Sequence, residues 1–108
     1  MGMSESEFLA AAERTLAAIE SAVEACDADV ETTRAGNVLT LELADGSRIV
    51  VNSQTPMRQI WVAAKSGGYH YEWRDGAWRD TRDGSELFAA LSRVLSAQGD
   101  VAVLLRAG

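Results

Sequence analysis

The chain has little of the chemistry on which most catalytic and metal centres depend. Its 108 residues include one cysteine, Cys26, and one histidine, His70. An internal disulfide and any site with two histidine ligands are therefore excluded, as are the cysteine-rich zinc modules. No apolar run approaches the roughly 18 residues of a membrane helix, and no signal-peptide pattern opens the chain. These absences predict a cytoplasmic protein in a reducing compartment.

Positive charge is also scarce. Ten Lys and Arg residues face sixteen Asp and Glu, which leaves a net charge of −6. Residues 1–31 hold eight of the acids and a single base, Arg14, so all of the net negative charge lies in the first third of the chain. Binding to a nucleic-acid backbone needs a basic face and is not expected. The expected partner is a cation or a basic protein surface.

Two segments have the apolar spacing of amphipathic helices. Ser4 and Glu7 form a capping-box pattern, and the spacing after them predicts a long helix from about Ser4 to Cys26. Asp83, as an N-cap, opens a second helical pattern that runs to about Ala97. Cys26 falls on the apolar stripe of the first helix, and we expect it to be a buried structural thiol.

Alternating residues between the two helices predict an antiparallel meander of five strands. The predicted strands cover 38–43, 48–52, 59–64, 69–74 and a short segment around Trp78. The aromatic residues predicted to be core are Tyr69, Tyr71, Trp73 and Trp78. Because each helix has one apolar stripe and the strands have one apolar face, the helices should pack side by side on one face of the sheet. The predicted fold class is α+β: a two-layer sandwich with the N- and C-terminal helices on one face of an antiparallel sheet.

The length favours a single domain over 1–108. Residues 1–3 are expected to be disordered or a cloning remnant. The apolar segment after the second helix, 101–105, is short.

The acids of the first helix are not scattered. Glu13, Glu20, Glu24 and Asp27 fall within roughly 60° of one another at about 100° per residue, and Asp29 and Glu31 continue the series beyond the helix. The pattern leaves open a solvated helix face or a surface that attracts hard cations or a basic protein. Carboxylates on one rigid helix cannot wrap around an ion, so any metal binding should be weak and partly hydrated. A catalytic metal centre is not expected.

Trp61 is predicted to lie on the solvent-facing side of the sheet. The side chains expected on the same face are Asn52, Gln59, His70 and Glu72. A large aromatic ring among amides has the composition of a protein-contact hot spot, with cover by a loop as the alternative. His70 is a candidate secondary metal ligand, with an ordinary surface histidine as the alternative.

The run from Asn52 to Trp73, NSQTPMRQIWVAAKSGGYHYEW, resembles the signature of the frataxin family, most closely its bacterial branch, the CyaY proteins. The pattern combines Asn-x-Gln-x-Pro, Gln-Ile-Trp, Ser-Gly and Tyr-x-Trp. The flanking layout extends the resemblance over about residues 4–105. The resemblance independently implies the sandwich of two helices on an antiparallel sheet.

The resemblance implies weak binding of iron, as Fe²⁺ and Fe³⁺, with other divalent cations as further ligands. The residues implied for the metal form an acidic ridge: Glu13, Glu20, Glu24, Asp27, Asp29 and Glu31. The ridge is sparser than in relatives, because Ser21 and Ala25 follow Glu20 and Glu24 where relatives often have a second acid. The short segment after the second helix, which covers the groove between the helices in longer relatives, implies modest stability.

The resemblance also implies a partner, the cysteine desulfurase of the iron–sulfur assembly system. The scaffold protein of that system is a further partner that it implies. The sheet-surface residues implied for partner contact are Asn52, Gln54, Gln59 and Trp61. The protein would then regulate cluster assembly, as a donor or sensor of iron, without catalytic residues, without a nucleic-acid or membrane partner, and as a monomer when iron is absent. The alternatives are an iron oxidase or iron store that uses the same carboxylates, and an acidic adaptor with no metal role.

Overall fold

A computed structural model of the chain describes residues 3–26, 28–99 and 104–105, so residues 1–2, 27, 100–103 and 106–108 lie outside it. The elements in chain order are α1 (Glu5–Ala25), β1 (Val30–Ala35), β2 (Val38–Leu43), β3 (Arg48–Gln54), β4 (Gln59–Ala64), β5 (Gly67–Arg74), β6 (Ala77–Asp80) and α2 (Leu87–Gly99). Within the described residues, the six strands form one antiparallel sheet in the order β1-β2-β3-β4-β5-β6. Neither helix described there is long and apolar enough to cross a membrane.

The predicted first helix is confirmed, together with its N-terminal cap. The Ser4 Oγ accepts from the Glu7 backbone N–H at 3.2 Å, and the Glu7 Oε1 accepts from the Ser4 N–H at 2.8 Å. The helix ends at Ala25, and Cys26 is its C-cap. The prediction of a buried thiol is wrong: Cys26 is half-buried, because the backbone turns to an extended conformation there, and its Sγ donates to the Val23 carbonyl at 3.0 Å.

The sequence pattern missed one strand. β1 (Val30–Ala35) pairs along its whole length with β2, so the sheet has six strands instead of the predicted five. Its core-facing positions after Val30 are Thr32 and Arg34, and this polar composition conceals the alternation that marks a half-buried strand. A usable signal was the two-residue turn Gly36-Asn37, in which Gly36 adopts a φ of +58°.

The predicted sandwich is confirmed. One face of the sheet supplies buried side chains from five strands: Leu39, Leu41, Leu43, Ile49, Val51, Ile60, Val62, Tyr71 and Trp78. α1 adds Phe8, Ala11, Ala12, Leu16, Ile19 and Val23, and α2 adds Leu87, Phe88, Ala90, Leu91 and Leu95. Both helices therefore cover the same face, and the other face of the sheet is left to solvent.

The prediction that Trp73 belongs to the core is wrong. Its side chain is 45% exposed, although its ring packs edge-on against buried Trp78 with centroids 5.4 Å apart. Trp73 lies directly across from Trp78 on the helix-facing side of the sheet, but next to the Asp75-Gly76 turn at the end of the β5–β6 hairpin, where its ring is left partly uncovered. Tyr69 is half-buried, whereas Tyr71 is buried as predicted.

The N-terminus of α2 is capped by a residue other than the one predicted. The Glu86 carboxylate accepts from the backbone N–H groups of Phe88 at 2.9 Å and Ala89 at 3.0 Å, which makes Glu86 the cap. The Asp83 carboxylate instead accepts from the Ser85 N–H at 2.9 Å, within the preceding turn.

The segment after α2 contributes to the core through Leu105. Leu105 is 3% exposed and belongs to the hydrophobic cluster, and its N–H donates to the buried Ser92 Oγ at 2.8 Å. Residues 101–103 of the predicted apolar segment 101–105 lie outside the described residues. At the other terminus, Met3 is described and packs against the core, and its carbonyl accepts from the Arg58 Nε at 3.4 Å.

Candidate functional site

The acidic ridge begins on α1, on the part of the helix that lies along β1 at one edge of the sheet. Glu13 and Glu24 are exposed and Glu20 is half-buried. At 1.5 Å per residue, about 10 Å separates Glu13 from Glu20 along the helix and about 6 Å separates Glu20 from Glu24. Asp27, also assigned to the ridge, lies outside the described residues, and Asp29 is exposed just before β1.

β1 brings a positive charge to the ridge. The Arg34 Nη2 lies 2.6 Å from the Glu13 Oε1, and its Nε donates to the Gly36 carbonyl at 3.1 Å. The Arg34 side chain is 19% exposed, so the strand and the turn hold it in place. Two residues earlier, the Thr32 Oγ1 donates to the Glu24 Oε2 at 3.3 Å. The charge of Glu13 is thus paired with that of Arg34, which is 21 residues away in the sequence. Arg34 lies beyond residues 1–31, so the net charge of that segment does not include it.

Glu31 is separated from the carboxylates of α1 by the sheet itself. The core-facing residues of β1 are Val30, Thr32 and Arg34, so Glu31 points to the opposite face. There it lies directly across from Glu42 on β2, in a like-charge pair. The structure therefore divides the ridge between the two faces of the edge strand.

The described carboxylates do not form a ready-made metal centre. Across residues 3–26, 28–99 and 104–105, no three His, Cys, Asp or Glu side chains group closely enough to hold a metal ion. Glu20, Asp29 and Glu31 also make no ion pair within that part of the chain. Such isolated oxygen donors suit hydrated hard cations that keep most of their water ligands.

The sheet-surface residues lie together on the solvent-facing side of the sheet, as predicted. Trp61 is half-buried, and its indole N–H donates to the Gln59 Oε1 at 2.8 Å. The His70 ring lies on the indole with centroids 4.2 Å apart and an angle of 9° between the planes. His70 itself is exposed, and it lies on the face opposite α1, so it does not join the carboxylates of that helix.

The amide side chains of this surface are held by one another. Asn52 lies directly across from Trp61, and Gln54 directly across from Gln59. The Gln54 Nε2 donates to the Asn52 Oδ1 at 2.7 Å. The indole is therefore fixed in orientation and bordered by amides, an arrangement suited to contact with a protein surface.

The pKa of several groups departs from its ordinary value in caps and in the core. The backbone N–H and then the hydroxyl of Ser4 lower the pKa of Glu7. The backbone N–H of Ser85 is the main cause of the lowered pKa of Asp83. Burial, followed by the charge of Asp80, raises the pKa of Tyr71. These shifts reflect local structure: a helix cap, a turn and burial in the core.

A family model described as a frataxin-like domain matches residues 1–101 of the chain. The chain belongs to the frataxin family. Iron-sulfur cluster assembly protein CyaY from Paraburkholderia phymatum is 57% identical over 96 residues, covering 89% of this chain and 91% of the relative. The CyaY protein from Ralstonia nicotianae is 55% identical over 107 residues, covering 95% of each chain.

The solved structures agree with this membership. Frataxin from Psychromonas ingrahamii superposes with a TM-score of 0.88 and 34% sequence identity, covering 94% of this frataxin-family chain and 97% of the other. The resemblance first noted in the run from Asn52 to Trp73 is thus confirmed, as is its bacterial branch.

Proposed function

We propose that this protein takes part in iron–sulfur cluster assembly, as the names of its CyaY relatives indicate for those proteins. In this proposal it binds the cysteine desulfurase of the system in the cytoplasm and regulates cluster formation without being an enzyme. The observation that carries the proposal is the pair of surfaces on opposite layers of the fold: unpaired carboxylates along α1 and β1, and the fixed indole of Trp61 on the outer sheet face.

The carboxylates supply the electrostatic part of the proposed contact. Glu20 and Asp29 have no counterion within the described residues, and Glu24 has only the Thr32 hydroxyl. A basic patch on the desulfurase would therefore meet free negative charge at the C-terminal half of α1 and the start of β1. Complementary charge of this kind accelerates encounter and fixes orientation.

The sheet-surface residues supply the apolar part. Burial of a half-exposed indole removes apolar area from water, at about 25 cal/mol per Å². Because Gln59 and His70 already orient the Trp61 ring, little side-chain entropy is lost on docking. We propose that this surface, on the layer opposite α1, forms the second part of the desulfurase contact.

Iron enters the proposal as cargo. The hard oxygen donors of Glu20, Glu24 and Asp29 suit iron that keeps part of its hydration shell, and their separation favours weak, multi-site binding. Iron and the basic patch would compete for the same carboxylates, which couples iron level to partner binding. An oxidase would additionally need one site able to hold Fe²⁺ and O₂ together.

The proposal is tested by calorimetric titration of purified desulfurase with matched charge reversals. Glu20→Lys should weaken binding at least about tenfold, or 1.4 kcal/mol. Glu5→Lys changes the net charge equally at the far end of the same helix and should leave the affinity within about twofold. Equal affinity in the wild type and Glu20→Lys would contradict the docking surface.

Two further measurements separate the alternatives. Paramagnetic broadening of NMR signals along the C-terminal half of α1 on addition of Mn²⁺ or Fe²⁺ supports iron binding, and its absence supports the acidic adaptor. Saturable Fe²⁺ oxidation that disappears on loss of Glu20 would support the oxidase. Cluster reconstitution with desulfurase and scaffold should respond to Trp61→Ala and not to the matched control Trp73→Ala, another partly exposed tryptophan.

A further inference from the structure

An apolar groove of the described surface includes no residue of the acidic ridge or of the Trp61 surface in its lining. It has a volume of about 400 Å³ and lies between α1, the hairpin of β5 and β6, and the start of α2. Its walls include the rings of Trp73, Trp78 and Phe88, and Arg14 and Glu86 lie at its rim. The volume falls within the range of about 300–1,000 Å³ that is common for small-molecule sites.

The aromatic wall is rigid, and its exposed carbon surface belongs chiefly to Trp73. Trp78 is 3% exposed and is fixed by edge-on contacts with Phe8 and Trp73 at centroid distances of 6.0 and 5.4 Å. Its indole N–H donates to the Thr15 Oγ1 at 2.8 Å and is therefore not available to a ligand. Trp73 is 45% exposed, a large apolar surface with nothing over it in the described structure. A flat ring is the shape that such walls accommodate.

Charge at the rim selects the polar part of the ligand. Arg14 is exposed, and within the described residues its side chain makes no ion pair or hydrogen bond. The Glu86 carboxylate, by contrast, accepts from two N–H groups at the start of α2, so its charge is compensated in place. The unused charge of the groove is therefore a guanidinium, which binds carboxylates through two parallel hydrogen bonds.

We propose that this groove binds small aromatic carboxylates, with the ring against exposed Trp73, next to buried Trp78, and the carboxylate on Arg14. The proposal is independent of iron and of the desulfurase, since neither the acidic ridge nor the Trp61 surface contributes to the groove. In a chain with a net charge of −6, a site for an anion depends on this local guanidinium.

NMR titration of the isotopically labelled protein tests the proposal with two probes of one shape. 3-Phenylpropionate carries the ring and the carboxylate, and 3-phenylpropanol carries the ring alone. The acid should shift the indole N–H signals of Trp73 and Trp78 saturably, while that of Trp61 stays in place as an internal reference. The alcohol should bind about fivefold more weakly, because it lacks the charge.

Variants identify the groups responsible. Arg14→Gln should weaken binding of the acid about fivefold and leave binding of the alcohol unchanged. Arg48→Gln, which removes an exposed arginine far from the groove, is the matched control and should have no effect. Trp73→Ala should weaken both probes.

Three results would overturn the proposal: no saturable shift with millimolar acid, equal affinity for the two probes, or no effect of Arg14→Gln. Shifts at Trp73 that follow protein concentration instead of probe concentration would also overturn it, since the groove would then be an interface between copies.

Discussion

Leu105 should hold the end of the described chain to the core, and its truncation gives the sharpest test of the fold. The side chain is 3% exposed and packs in the hydrophobic cluster, and the backbone N–H donates to the Ser92 Oγ at 2.8 Å. Leu105→Ala removes three methylene equivalents, or about 2.4 kcal/mol at about 0.8 kcal/mol each. The cavity left behind adds to this loss, so we expect the free energy of unfolding to fall by about 3 kcal/mol.

That loss is a large fraction of what a domain of this size possesses. Small proteins unfold with roughly 5–15 kcal/mol, and the resemblance implied modest stability here. Urea unfolding followed by tryptophan fluorescence measures the change, because Trp78 is buried in the same core. The midpoint should fall without a change in the denaturant slope.

The neighbouring residue provides the control. Leu104 has the same side chain but is 65% exposed, so Leu104→Ala should change stability by less than about 0.5 kcal/mol. If Leu105→Ala costs less than about 1 kcal/mol, or no more than Leu104→Ala, the reasoning is refuted, and Leu105 does not contribute to the core in solution.

Three other predictions concern the cap, the ridge and the core tyrosine. Ser4→Ala should lower the free energy of unfolding by about 1 kcal/mol and raise the pKa of Glu7 in a carboxyl NMR titration. In the wild type, the stabilisation from ionised Glu7 is complete above its ordinary pKa of 4.5 and is lost as the pH falls through the lowered value. An unchanged pKa of Glu7 in the variant would count against the capping box. A double-mutant cycle of Glu13→Gln and Arg34→Gln should give a coupling below about 1 kcal/mol that shrinks in high salt, because Glu13 is 67% exposed; a larger, salt-independent coupling would contradict this assignment. Burial raises the pKa of Tyr71 above its ordinary 10.0, so the stabilisation of the fold by the neutral phenol is present below pH 10 and is lost as the pH rises further. Tyr71→Phe should therefore reduce the fall in the free energy of unfolding at alkaline pH. An unchanged fall would show that ionisation of Tyr71 does not cause it.

The elements that the sequence predicted well are those in which side-chain pattern and burial coincide. α1 has a capping box and an apolar stripe, and it begins and ends within a residue of the prediction. β2 to β5 alternate between a buried and an exposed face, so periodicity located them and placed Trp61 beside His70. The burial of Trp73 was predicted wrongly, because strand alternation gives the direction of a side chain and not the extent of the helix layer that covers it.

The sequence pattern missed β1 for a different reason, and the missed strand contributes contacts to the candidate site. Its inward positions, Thr32 and Arg34, contact the carboxylates of α1 in place of an apolar surface, so a strand that serves an acidic helix lacks the hydrophobic signal of a strand. A tally of charges along the chain likewise treats Glu13 as equivalent to Glu20. In space, Arg34 neutralises the N-terminal end of the ridge, and the sheet places Glu31 on the other face.

The free negative charge is therefore narrower than the six-residue ridge of the sequence. Among the described residues it centres on Glu20, Glu24 and Asp29, around the C-terminal end of α1 and the start of β1. A helix C-terminus carries a partial negative charge, which adds to these carboxylates and favours a cation there. A basic partner or a hydrated metal ion should consequently bind first at this end of α1. Glu20→Lys should impair binding more than Glu13→Lys, because the wild-type carboxylate of Glu13 is already paired with Arg34.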